Sequence, residues 1–297
     1  MKTVRENKLA IFLFMLPAAL LFIGIIVIPI FMSLRYSFFK WDGFTDMKFI
    51  GFKNYVDLVT SKSANFPRAL KNALILALLS VFIQLPISLF FAVKLASGVK
   101  GEKFFVALFF TPVLISTVVI GQLWMKIYNP DYGVLNTVLK SLGLESWCRV
   151  WLGDKNTALG AVFVPILWQY VGYHMLLMYA GIKNIPQDIS DAALMDGASG
   201  LKLAWYITIP LLKPVLEVCV IFAVTGSLKA FDLIYVLTNG GPAHASEVPS
   251  TLMVSQIFLR NKYGFGSAIA IVIILLCFAC SLLIKKLFHM KKDAAED

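Results

Sequence analysis

Few residues in this 297-residue chain are of types that could carry chemistry, and their spacing excludes most reactions. The three histidines, His174, His244 and His289, stand far apart, and no H-E-x-x-H pair offers zinc ligands. No G-x-S-x-G elbow presents a nucleophilic serine. There is no Gly-Lys dipeptide, so the phosphate-binding loop G-x-x-x-x-G-K-[ST] is absent, and any ATP used must be hydrolysed by another chain. Cys277 and Cys280 are three apart and would share a helix face, but no His or carboxylate lies near them. They read as small packing residues. No catalytic residue, metal site or cofactor is expected. What remains is a set of polar and aromatic side chains inside apolar runs: Gln84, Gln122, Gln169, Tyr170, Tyr173, His174 and Ser227, with the charged Glu217 and Asp232. Such groups either hydrogen-bond between helices or face a polar pathway.

The elements that must position them are membrane spans. Hydrophobic residues make up 59% of the chain and charged residues 15%, against about 25% charged in a soluble domain. The mean hydropathy is +0.79. A helix that crosses a bilayer needs ~20 mostly apolar residues, because lipid offers its backbone no partners. Five charge-free windows qualify: 9–34, 72–93, 104–125, 156–182 and 263–284. A sixth, 215–236, carries Glu217, Lys229 and Asp232, and the basic end of the chain requires it by parity. The first window is too long for a cleavable signal and reads as an uncleaved span. The expectation is an all-α polytopic membrane protein with six transmembrane helices over residues 9–284. It is flanked by a short N-terminus, 1–8, and a basic tail, 285–297.

The formal net charge of +10 arises from Lys and Arg between the apolar runs, which suits lipid headgroups rather than nucleic acid. The short connection Lys94–Lys103 and the cluster Lys285, Lys286, Lys291 and Lys292 fall on one side, so both termini are expected to be cytoplasmic. Prolines 17, 29, 86, 112 and 165 lie inside spans, where neighbouring groups must satisfy the carbonyls they free.

One polar connection, 183–214, is richer than the others. It reads as two short helices and a turn. Asp188 or Ser190 can cap the first helix and Ser199 the second. Gly197 and Gly200 permit the sharp break, and Pro210 and Pro214 end the second helix. A helix-turn-helix of this kind can pack on itself, lie on headgroups or dock into the groove of a partner.

This segment resembles the "EAA" loop of binding-protein-dependent ABC importer permeases, E-A-A-x3-G-x9-I-x-L-P. Here Asp191, Ala192 and Ala193 are followed at that spacing by Gly197, Ile207, Ile209 and Pro210. Asp191 replaces the Glu and Ile209 the Leu. Asp196, Gly197 and Ala198 resemble the D-G-A of the sugar branch. Two further blocks, Phe49–Tyr55 with Ala69–Asn72, and Phe231–Pro242, resemble sugar permeases, so the likeness covers nearly the whole chain.

The resemblance implies a type I importer permease fold in a bacterial cytoplasmic membrane. It implies a heterodimer with a second permease, two ATPase subunits docked on Asp191–Pro210, an extracytoplasmic solute-binding protein and a sugar substrate. The polar and aromatic residues inside the spans then become candidate sugar contacts, because sugar hydroxyls bond amides and carboxylates while their C–H faces lie on aromatic rings. Lys229 and Asp232, three apart, are expected to pair on one helix face. Glu217 should face the bundle or a polar cavity. The alternative, an ion- or proton-coupled secondary transporter, needs paired intramembrane carboxylates, for which only Glu217 and Asp232 qualify.

Overall fold

A computed structural model describes residues 8–61 and 65–293, without the side chains of 8–10 and 290–293. Of the expected cytoplasmic N-terminus, 1–8, all but Lys8 lies outside the described residues, as do residues 294–297 of the basic tail. Among the described residues the elements are helices, apart from a two-residue antiparallel pair, β1 (Phe39–Lys40) with β2 (Lys48–Phe49). The long helices are α1 (Ile11–Tyr36), α3 (Phe66–Ala96), α7 (Ala158–Lys183), α10 (Lys213–Thr238) and α12 (Tyr263–Asp293). The shorter ones are α2 (Lys53–Thr60), α4 (Glu102–Leu114), α5 (Thr117–Ile127), α6 (Val134–Ser141), α8 (Gln187–Met195), α9 (Leu201–Leu211) and α11 (Pro249–Leu259). Among the described residues the five long helices are long and apolar enough to cross a membrane, and the bent pair α4 and α5, taken together as one broken span, brings the number to six.

That third span is not the single helix the window 104–125 suggests. α4 and α5 meet at 94° around Ile115 and Ser116, whose ψ angles of 139° and 132° are extended. Pro112 has no N–H to give the ladder, and Gln169 Nε2 donates to its carbonyl at 3.4 Å. A neighbouring helix thus satisfies a group that the break leaves open. Other prolines are absorbed differently. Five-residue π turns at 23–27, 80–84 and 204–208 end two residues before Pro29, Pro86 and Pro210. Each wider turn moves the carbonyl that the proline ring would strike. Pro210 therefore lies inside α9 instead of ending it.

The chain divides into two units, residues 1–64 with 253–274, and residues 65–252 with 275–297. In the first, Gly264 N–H donates to Trp41 O at 3.3 Å and Tyr263 lies against the Trp41 ring. Asn54, buried, gives its amide to Ser37 O at 2.7 Å and Phe39 O at 3.0 Å, and Tyr55 bonds the Ser37 hydroxyl at 2.6 Å. These bonds account for Asn54 and Tyr55 of the Phe49–Tyr55 block. Asp42 Oδ1 accepts the Thr45 N–H, the Phe44 N–H and the Thr45 hydroxyl, which hold its pKa down to about 2. The described part of α1 has no buried residue and is apolar all round, so its surroundings must be apolar too.

The second unit packs α3, α4, α7 and α10 around two apolar clusters. One includes Leu76, Phe163, Ile166 and Leu233, the other Leu85, Met175, Cys219 and Ala223. Cys277 packs against the first cluster, as does Cys280. In lipid, helices associate through close backbone approach more than through hydrophobic transfer. Gly172 of α7 provides such an approach: a Cβ there would overlap the Phe109 carbonyl of α4. Gly172→Ala is therefore expected to cost ~1–3 kcal/mol. Detergent-solubilised protein carrying it should unfold at a lower temperature, whereas Gly160→Ala, with open space around its Cβ, should not.

Candidate functional site

Between the two clusters of the second unit lies a cavity of about 330 Å³, walled by α3, α5, α7 and α10. Its lining gathers residues that are far apart in sequence. Gln84 comes from the π turn of α3, and Gln169, Tyr170, Tyr173 and His174 from α7. Ser227 and Asp232 come from α10. Seven of the nine intramembrane candidates thus share one cavity.

His174 organises it. The residue is 3% exposed. Its Nδ1 lies 2.8 Å from Gln84 Nε2 and 3.0 Å from Tyr170 O, while its Nε2 is buried without a partner among the described residues. A buried ring nitrogen without a partner carries a desolvation cost, which a hydroxyl in the cavity would relieve. Phe222 and Phe231 add aromatic faces, Lys229 adds a charge, and Thr117, Thr225 and Ser80 add polar groups that hydropathy did not single out. Ser80 Oγ lies 3.3 Å from Ser227 Oγ, across α3 and α10.

Two candidates lie elsewhere. Gln122 is exposed on α5 and does not line the cavity. Glu217 lies 4.0 Å from His289 Nδ1, near the end of α10 that follows the polar connection. Lys229 and Asp232 form no ion pair among the described residues, because α10 breaks at residues 229–231 and the i,i+3 geometry is lost. Intramembrane carboxylate pairing, which ion-coupled transport required, is thus not found among the described residues.

The connection 183–214 folds as α8, a turn and α9. α8 ends in a Schellman motif: Ala198 N–H bonds Ala193 O, Gly197 N–H bonds Leu194 O, and Gly197 has φ +79°. Gly200, at φ +55° and ψ −119°, reverses the chain into α9. The caps expected from Asp188, Ser190 and Ser199 are not formed. α8 begins at Gln187 after Pro186, which places Asp188 in its first turn, where a carboxylate favours the helix dipole. Ala193 is buried and Asp191, Ala192 and Asp196 are exposed, while Ala198 and Ile207 are half-buried and Pro210 is exposed. Met195 is 89% and Leu201 81% exposed, so the turn carries a bare apolar tip. At its root, Lys183 Nζ meets Glu102 Oε1 at 2.9 Å, and the Tyr179 hydroxyl donates to the same carboxylate.

Residues 75–292 match the family described as the binding-protein-dependent transport system inner membrane component. The chain belongs to this family. It is a permease-type, multi-pass membrane protein. A probable ABC transporter permease of Bacillus subtilis is 39% identical over 293 residues, covering 98% of this chain and 99% of that protein. A trehalose/maltose transport system permease of Thermococcus litoralis is 32% identical over 290 residues, covering 97% and 96%. Among solved structures, a chain of a bacterial ABC transporter involved in alginate import superposes with a TM-score of 0.83. It is 22% identical and covers 97% of this chain and 98% of that one, a likeness that shows the fold.

In this permease the Ala69–Asn72 block meets the segment that follows the Phe231–Pro242 block. The Asn72 amide donates to Ala245 O at 3.0 Å and Glu247 O at 2.8 Å, pinning the segment after Pro242 onto α3. Thr238 and Ser246 close the same turn at 2.7 Å. Asn72 is 173 and 175 residues away from its acceptors, so its role cannot be read from its own neighbourhood in sequence.

Proposed function

We propose that this permease is the membrane-spanning subunit of an ATP-driven sugar importer and that its cavity is part of the sugar pathway. The observation that carries the reading is the cavity itself: amides, hydroxyls and aromatic faces around a buried imidazole nitrogen that has no partner among the described residues. That set suits a neutral polyhydroxylated solute. A volume of about 330 Å³ lies at the small end of ligand pockets, which favours a mono- or disaccharide over a polymer segment.

The remaining parts belong to the same proposal. A second permease completes the pathway as a heterodimer, and two ATPase subunits dock on the Asp191–Pro210 loop from the cytoplasm, where both termini lie. An extracytoplasmic solute-binding protein delivers the sugar. ATP is bound and hydrolysed only by the ATPases. Their closure draws the α8–α9 loops together, and the spans rock to alternate access. Names of relatives that state sugars, trehalose/maltose among them, support this reading.

The test is reconstitution with all partners in liposomes. Sugar should accumulate only with ATP and the binding protein, and a proton gradient without nucleotide should drive none. Accumulation on the gradient alone would overturn the proposal.

A further inference from the structure

The first unit holds a second cavity that the transport reading leaves unused. It measures about 830 Å³ and is built from the segment after α1, from α2 and from the turn between α11 and α12. Its charged lining is mixed: Lys40, Lys48, Lys53, Arg260 and Lys262 against Asp42, Asp46 and Asp57. Among the described residues no ion pair joins these cations to these carboxylates. The excess is positive, and Asp42 is already engaged by its own turn. Deep in the wall, Gln256 is 2% exposed and its amide oxygen has no partner among the described residues. The site therefore combines cations suited to a phosphate with a buried acceptor that lacks a donor.

The elements around the cavity also show where it sits. α2 is two-faced. Lys53, Asn54 and Asp57 turn to the cavity, while Phe52, Val56 and Val59 are exposed on the other side. Phe44 and Phe49, on the loop joining α1 to α2, are exposed as well. Apolar side chains in that number fit the boundary between headgroups and acyl chains, at the point where α1 leaves its apolar run. Trp41 and Tyr263, in ring contact, are residue types that favour the same depth.

We infer that this cavity is a phospholipid headgroup site, with the lysines and Arg260 on the phosphate and Gln256 Oε1 accepting from a terminal hydroxyl or ammonium. Phosphatidylglycerol and phosphatidylethanolamine carry such a donor. Phosphatidylcholine has the phosphate but no donor, so it should be held more weakly.

The assembled transporter, exchanged in vesicles containing equal phosphatidylglycerol, phosphatidylethanolamine and phosphatidylcholine, is repurified and its retained lipid measured by mass spectrometry. Wild type should retain the first two several-fold over the third. Lys53→Glu with Arg260→Glu, both at exposed positions, should lower that retention by about tenfold. Gln256→Leu should remove the discrimination against phosphatidylcholine while leaving total phospholipid higher than in the double variant. Inorganic phosphate or free sugar at millimolar concentration should displace nothing. Equal retention of all three lipids by wild type, or full retention by the double variant, overturns the site. So does displacement by free phosphate or sugar, or a double variant that loses only its affinity for the solute-binding protein. The readout does not depend on transport, so it is independent of the sugar reading.

Discussion

Aspartates at Met195 and Leu201 together should abolish co-purification of the ATPase subunits while leaving the permease folded in the membrane. Both side chains project from the tip of the α8–α9 turn and pack on nothing extensive in the chain itself. Folding therefore loses little by their replacement. A docked tip would bury both, and two unpaired carboxylates in an apolar cleft cost 2–5 kcal/mol each, so affinity should fall by on the order of a thousandfold or more. Gly197→Asp is a sharper version. Its Cβ would meet open space, and Asp is among the few residues that tolerate a left-handed φ, so the turn itself should lose only about 1 kcal/mol. Any loss of docking then comes from the charge at the tip. A pull-down on tagged ATPase, with span integrity checked by thermal unfolding, decides the matter. Recovery of the double variant at wild-type yield would place the docking surface elsewhere.

The turn was legible because its physics is local. A glycine at the C′ position and a second at the reversal announce themselves at fixed spacing, and Gly197 and Gly200 both take positive φ. The spans were legible for the same kind of reason, since a bilayer demands unbroken apolar length. The break between α4 and α5 was not. Hydropathy is blind to direction, and the group that satisfies the Pro112 carbonyl beside the 94° bend is Gln169, 57 residues away in sequence. Within the cavity, windowing found side chains that are polar against an apolar background, such as Gln84 and His174. It could not tell Gln122 from Gln169, because both are glutamines in apolar helices and only packing makes one exposed and the other buried. Nor could it find Phe222 or Phe231, which are indistinguishable from lipid-facing rings until the helices are placed. The expected Lys229–Asp232 pair failed because i,i+3 reasoning presumes a continuous helix, and α10 breaks between them.

Replacing His174 by Asn should depress sugar uptake far more than replacing it by Gln. The two ring nitrogens have separate tasks in the geometry. Nδ1 lies within bonding distance of Gln84 and the Tyr170 carbonyl and fixes the ring, while Nε2 of this cavity-lining residue has no partner among the described residues. An Asn amide reaches about as far as Nδ1, so it can keep the Gln84 contact but offers nothing at the Nε2 position. A Gln amide reaches to Nε2. Losing one hydrogen bond to a buried sugar hydroxyl costs roughly 1–3 kcal/mol, or about ten- to a hundredfold in affinity for the sugar. The uptake rate of reconstituted transporter and direct sugar binding should fall together for His174→Asn and recover in large part for His174→Gln. Thermal stability guards against a trivial result: if both variants lose uptake in proportion to lost stability, His174 is a packing residue. If both transport normally, the unpartnered nitrogen is satisfied by water and the sugar passes by other contacts. Retention by Gln alone requires an acceptor or donor at the Nε2 position, which a purely structural histidine would not.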